Sequence, residues 1–201
     1  MVPLAQATAA VLLGEDVDSV SDLISFNRTS QSFRNLMYGQ ADLLIVAEPA
    51  ESIWDEIEQE GFQYEMTQIS TDALIFVVSK DNPVDSLTIE QIQKIYSGEI
   101  TNWSQVGGND VDIVPFQRNA EAGSQAAMLR LVMKDITMME PPSEYIIGSM
   151  SGLMEAMRNF DGSEGAIGYS VYYYANDMRM ADGLKIIAVE GVDPNSETIR
   201  A

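Results

Sequence analysis

The chain has 201 residues, enough for one large domain or two small lobes with separate cores. It has no cysteine and no histidine, which excludes disulfides, thiolate or imidazole metal ligands, and any nucleophile worked by a Ser-His or Cys-His pair. With 31 acidic and 11 basic residues the net charge is −20, so no basic surface exists to displace counterions from a nucleic acid.

Pro3 to Leu13 reads as a helix with Leu4, Ala7, Val11 and Leu12 on one face, ended by Gly14. Val17, Val20, Leu23 and Ile24 mark a second, short helix, and Gln31 to Tyr38 a third, with Thr29 or Ser30 as its N-cap. Ala41 to Ala47 is a continuous apolar run of buried parallel-strand type, and it ends in Glu48-Pro49. Open α/β sheets place their ligands at such carboxyl ends. Ser52 to Glu60 is an acidic helix with Ile53 and Ile57 facing in, and alternating Phe62, Tyr64 and Met66 predict an edge strand.

Ala73 to Ser79 is a second buried strand. Beyond it, Thr88 and Gln91 fit a capping box and Leu87 with Ile92 a hydrophobic staple, opening a helix that Gly98 closes. Ser151 to Phe160 is helical, and Gly165 to Tyr172 and Leu184 to Val189 are strands. Helices alternate with strands throughout, which argues for parallel α/β sheets. Ile75–Ser79 and Ala166–Ser170 flank a central block and suit paired crossovers between two lobes.

The central block is Ile113 to Met133. Ile113, Val114 and Phe116 form a short strand, Arg118 stands at its end, and a polar loop through Ala122 and Gly123 leads to a helix opening at Ser124-Gln125. Ala126, Leu129, Leu131, Val132 and Met133 supply that helix's apolar face. The first N–H groups of a helix have no intrahelical acceptor and its dipole favours negative charge there. An arginine adds a planar donor fork matched to phosphate or carboxylate oxygens. The plainer alternative is that Ser124 is only an N-cap. The acidic surface does not oppose an anion site, because at physiological salt the Debye length is about 8 Å.

The run LTIEQIQKIYSGEITNWSQVGG from Leu87, a short strand, and then Arg118 ahead of Gly123-Ser124-Gln125 resemble the phosphate-binding proteins of bacterial ABC importers. More narrowly, the chain is similar to their PstS-like, Gram-positive branch, which has the type II periplasmic-binding-protein fold. ADLLIVAEP and AIGYSVYYY fit the same family, and the resemblance covers essentially the whole chain. It implies two α/β lobes of mostly parallel sheets flanked by helices, closing by a hinge on a buried oxyanion. Residues 1–75 and 171–201 would form the first lobe, and residues 76–170 the second, carrying the Arg118 loop.

By the same resemblance Arg118 is the guanidinium, Gly123 and Ser124 form the helix-start cradle, and Gln125 adds a backbone amide. Thr29 and Ser30 are the facing cradle. The family's acidic acceptor for the proton of hydrogen phosphate falls near Ala47, so Glu48 either takes that role or faces solvent. Ala122 stands where the family has a serine, a lost hydroxyl worth about 1–2 kcal/mol if aimed at the ligand. The chain starts just after the family's first strand and Gly-Ser-Thr loop and ends before its closing segment, and so reads as truncated at both ends.

These readings lead to a solute-binding protein, not an enzyme, that captures inorganic phosphate for the membrane permease of an ABC importer. It would be extracytoplasmic, a lipoprotein anchored through a segment absent from this chain, with no cofactor, no metal and no nucleic-acid partner. Two alternatives remain: the same fold binding sulfate, molybdate or tungstate, and a surface or sensor protein that no longer binds. A carboxylate-based hydrolase lacks any convergent pair of acids to build it.

Overall fold

The computed structural model describes residues 2–140, 145–159, 163–179 and 181–199. The chain divides into two compact units, Met1–Gln63 and Tyr64–Ala201.

In the first unit, helix α1 spans Val2–Leu13 and Gly14, at φ 69°, ends it as expected. Helices α2 (Thr29–Met37) and α3 (Glu51–Gln59) pack through Phe33, Ile53 and Ile57, with Met37, Leu44, Val46, Trp54 and Phe62 around them. Phe33 and Trp54 meet edge to face at 5.8 Å. The Arg34 guanidinium donates to both carboxylate oxygens of Glu56, at 2.9 and 2.6 Å, tying α2 to α3. That bond holds the Glu56 carboxyl below its ordinary value.

Four expectations fail in this unit and the stretch that leads out of it. Ala41 to Ala47 is not a strand, and neither is the Phe62–Met66 stretch. A strand needs a partner for its N–H and C=O groups, and the first unit has no strand among its described residues. Leu44 and Val46 still turn inward in alternation, while Leu43 is exposed. The cap of α2 is Arg28, with no side-chain cap bond, so Thr29 and Ser30 lie inside the helix. The second short helix shrinks to a 3₁₀ turn at Ser21–Leu23.

The second unit is built on five strands, β1 (Leu74–Ser79), β2 (Ser86–Leu87), β3 (Val114–Pro115), β6 (Ala166–Val171) and β7 (Leu184–Val189), in the order β2-β7-β1-β6-β3. The stretches read as interlobe crossovers, β1 and β6, pair with each other within this unit, antiparallel, with Phe76 opposite Tyr169. β7 runs antiparallel to β1 on its other side. β2 and β3 lie parallel to β7 and β6. The sheet is therefore mixed: four strands share one direction and central β1 opposes them. A separate pair, β4 (Gln117–Arg118) and β5 (Ile146–Ile147), is parallel.

β1 is buried on both faces, and its alternation sorts two cores. Phe76 and Val78 join Leu87, Ile92, Tyr96, Trp103, Ile167 and Tyr169 beneath helix α4 (Ile89–Ser97). Ile75 and Val77 join Phe116, Leu153, Met154, Met157 and Ala166 beneath helix α6 (Met150–Asn159). The Phe160 end expected for α6 lies outside the described residues. The capping box of α4 is present in both directions: Thr88 Oγ1 accepts from the Gln91 amide and Gln91 Oε1 from the Thr88 amide. Gly98, at φ 84°, caps its other end.

Trp103 Nε1 donates to Gly165 O at 3.0 Å, where the chain enters β6. A Cβ on Gly165 would lie 2.3 Å from Asp112 O, a backbone atom with no freedom to swing aside. Gly165→Ala is expected to destabilise the protein by about 3 kcal/mol. A urea unfolding midpoint equal to that of the unsubstituted protein would refute this close approach.

Candidate anion-binding site

Arg118 ends β4 and is buried, 9% exposed. Its Nε donates to Ile147 O at 3.1 Å, and its Nη1 to Ser124 Oγ at 3.4 Å. The main chain turns next, with the Ala122 amide on Asn119 O at 3.0 Å, and delivers helix α5 (Gly123–Ala127). Ala122 is the N-cap of α5 and has no side chain able to cap it, so the first amides, those of Gly123 and Ser124, receive no capping bond from it. Ser124 is thus not the cap; it sits one position inside, buried, with its oxygen on the guanidinium and its own O–H left to donate.

Gln125 departs from its expected role. Its amide donates to Ala122 O at 2.9 Å, and its side chain does the local work. Gln125 Oε1 accepts from the Arg118 amide at 3.2 Å and from the Tyr169 hydroxyl. Tyr169 Oη in turn accepts from the same Arg118 amide at 3.0 Å. Gln125 Nε2 points to Met138 Sδ at 3.5 Å. Neighbouring Asn119 donates from Nδ2 to Gly148 O at 3.2 Å, while its Oδ1 is buried without a partner.

The helix after Ser124 also differs from expectation. α5 has one regular turn and then widens into π-type turns over Met128–Met133. The wider turn rotates the register, so Met128, Val132 and Met133 are buried whereas Leu129 and Leu131 face out.

In the first unit, Ser30 is buried and Thr29 half-buried in the first turn of α2; Glu48 is exposed just before buried Pro49. Tyr169 and Ile147, which bond Arg118, were not singled out from the sequence. A hydroxyl within the aliphatic run of β6 was a usable signal, because a buried tyrosine O–H normally finds a partner. A backbone carbonyl such as Ile147 O leaves no trace in sequence.

The chain matches the PBP superfamily domain over residues 4–198. It belongs to that family. Among its relatives, the phosphate-binding protein PstS of Borreliella burgdorferi is 31% identical over 151 residues, covering 73% of this chain and 52% of that protein. PstS of Bacillus subtilis is 24% identical over 132 residues, covering 66% and 41%. This chain spans about half or less of their length. The solved structure of a phosphate ABC transporter substrate-binding protein from Clostridium perfringens, with bound phosphate, superposes with a TM-score of 0.68. The match is 25% identical and covers 99% of this chain and 75% of that one. An ABC-type phosphate transport receptor from Vibrio cholerae matches at 0.61 and 29% identity, over 85% of this chain and 66% of its own. The type II periplasmic-binding-protein fold is thereby established, with a mixed sheet. No helix among the described residues is long and apolar enough to cross a membrane.

The phenols behind Arg118 make the site's support sensitive to alkali. Burial raises both Tyr96 and Tyr169 above the phenol value of 10.0. The charge of neighbouring Tyr169 raises Tyr96 further, while the bond from the Arg118 amide and the Arg118 charge pull Tyr169 partly back. The folded protein therefore holds these protons more tightly than the unfolded chain. Their contribution to stability is complete below pH 10 and declines as pH rises toward the folded values. Urea unfolding between about pH 9.5 and about pH 11.5 is expected to show stability falling by up to about 1.4 kcal/mol per pH unit for each phenol. Tyr169→Phe should flatten that slope, and an unchanged slope would refute this assignment.

Proposed function

We propose that this chain is the anion-capturing part of an extracytoplasmic solute-binding protein that delivers inorganic phosphate to the membrane permease of an ABC importer. The observation that carries the reading is the buried Arg118 guanidinium, oriented by Ile147 O and Ser124 Oγ beside the uncapped start of α5. A charged planar donor, a hydroxyl and helix-start amides together suit a tetrahedral oxyanion. Arg118, Gly123 and Ser124 are its proposed contacts in the second unit, with Gln125 behind them. Thr29, Ser30 and Glu48 are further candidate contacts carried over from the family resemblance alone. The relatives named as phosphate-binding and the phosphate-bound Clostridium structure support the choice of anion. The reading is of binding without catalysis, with capture between lobes that close about a hinge, and with lipid anchoring outside this chain.

A second reading, another oxyanion such as sulfate, molybdate or tungstate, draws on the exposure of Glu48 and on the missing hydroxyl at Ala122. An acidic acceptor tolerates only an anion that carries a proton. Calorimetric titration of the protein with phosphate and with sulfate separates the two. Phosphate is expected to bind and sulfate not, and Arg118→Ala is expected to weaken phosphate by at least about 100-fold. Glu48→Gln should narrow the preference for phosphate. Equal affinity for both anions would move the assignment to the second reading, and no heat from either would reject both.

A further inference from the structure

We infer that Tyr169 and Gln125 are positioning residues for the anion site, an inference that rests on the phosphate reading above. β4 is two residues long, and Asn119, just beyond it, directs its amide to Ile147 O on the β5 side at 3.4 Å. Alternation along an extended chain turns the preceding amide, that of Arg118, to the opposite edge. Among the described residues β4 is paired only with β5, so no strand lies along that edge. Two side chains take the amide there, the Tyr169 hydroxyl from β6 and the Gln125 carboxamide from α5.

These two acceptors also bond each other, so Arg118, Tyr169 and Gln125 close a triangle at a single amide. Two of its corners are anchored elsewhere. Tyr169 is fully buried, packed edge to face on Tyr96 at 5.6 Å and against Phe76 at 6.3 Å, on a strand paired with the centre of the sheet. Gln125 follows Ser124, whose oxygen holds the other end of the same arginine. The triangle therefore fixes the Arg118 backbone and the start of α5 against one rigid strand. It sets where the guanidinium and the first helix amides stand relative to each other. An anion contacting both is sensitive to shifts of well under 1 Å in that relation.

The test uses the whole protein, with Tyr169→Phe, Gln125→Met, the double variant and Arg118→Ala, at a temperature well below the unfolding of each. Hydrogen exchange at the Arg118 amide reads the triangle without any anion; calorimetric titration with inorganic phosphate reads its consequence. Tyr169→Phe and Gln125→Met are each expected to speed that exchange and to raise the phosphate Kd about 10-fold. The double variant should lose less than the product of the two, because they share one bonded unit. Exchange that does not change overturns the inference. So does faster exchange with a Kd within about twofold of the unsubstituted protein, which would leave the hydroxyl a structural role alone. If Arg118→Ala loses phosphate while Tyr169→Phe keeps it, the positioning role fails and the phosphate reading stands. If the unsubstituted protein does not bind phosphate, or Arg118→Ala binds it normally, both fall together.

Discussion

An arginine that is 9% exposed has given up most of the water around it, and the protein must replace it. Leaving such a cation unsolvated costs several kcal/mol, far more than one surface contact returns. Much of the second unit's local geometry follows from meeting that demand. β5 stands where Ile147 O reaches Nε, α5 begins where Ser124 Oγ reaches Nη1, and β6 brings Tyr169 to the amide behind. Three elements, two of them distant in the chain, thus converge on one residue at the end of a two-residue strand. The cationic end so held has its orientation settled in advance, which is what the proposed anion site requires.

The second unit was largely legible because its signals are local. β1 reads as a strand from the nearly continuous apolar run Ala73 to Ser79, and a run without polar alternation predicts burial on both faces. Thr88 and Gln91 announce a helix start through bonds they make with each other. Arg118 and Ser124 were legible for a similar reason, a charge at a strand end followed within a few residues by a small polar helix start. The role of Gln125 was misjudged because an amide in the first turn has two possible fates, a ligand or a tightened turn, and the bond to Ala122 O took the second. The π-type turns after Ala127 were not legible, since a widened turn comes from packing against distant elements and not from the apolar spacing of its own residues.

The first unit teaches the complementary lesson. Ala41 to Ala47 has the composition of a buried strand, and Leu44 and Val46 do turn to the small core as an extended chain would have them. Composition describes where side chains prefer to be, whereas a strand is a relation between two backbones. Helices satisfy their own hydrogen bonds, so α2 and α3 form on the strength of their own patterns, with Arg34 and Glu56 joining them. The direction of β1 was hidden in the same way. Alternating helices and strands suggest parallel neighbours, but which strands become neighbours is decided far along the chain.

That placement of β1 bears on how the protein is made. Its partners are the last two strands, so Val78 waits for Ile167 and Phe76 for Ile187. At roughly 5–20 residues per second, synthesis leaves the most apolar strand of the sheet unpaired for on the order of 5 to 20 seconds after it is made. Long-range pairing of this kind also slows folding once the chain is complete. The nascent polypeptide therefore spends its early life with the central strand of its fold open. An exposed apolar strand of that kind is prone to aggregate with other unfinished chains, and the risk lasts until the end of the chain closes the sheet.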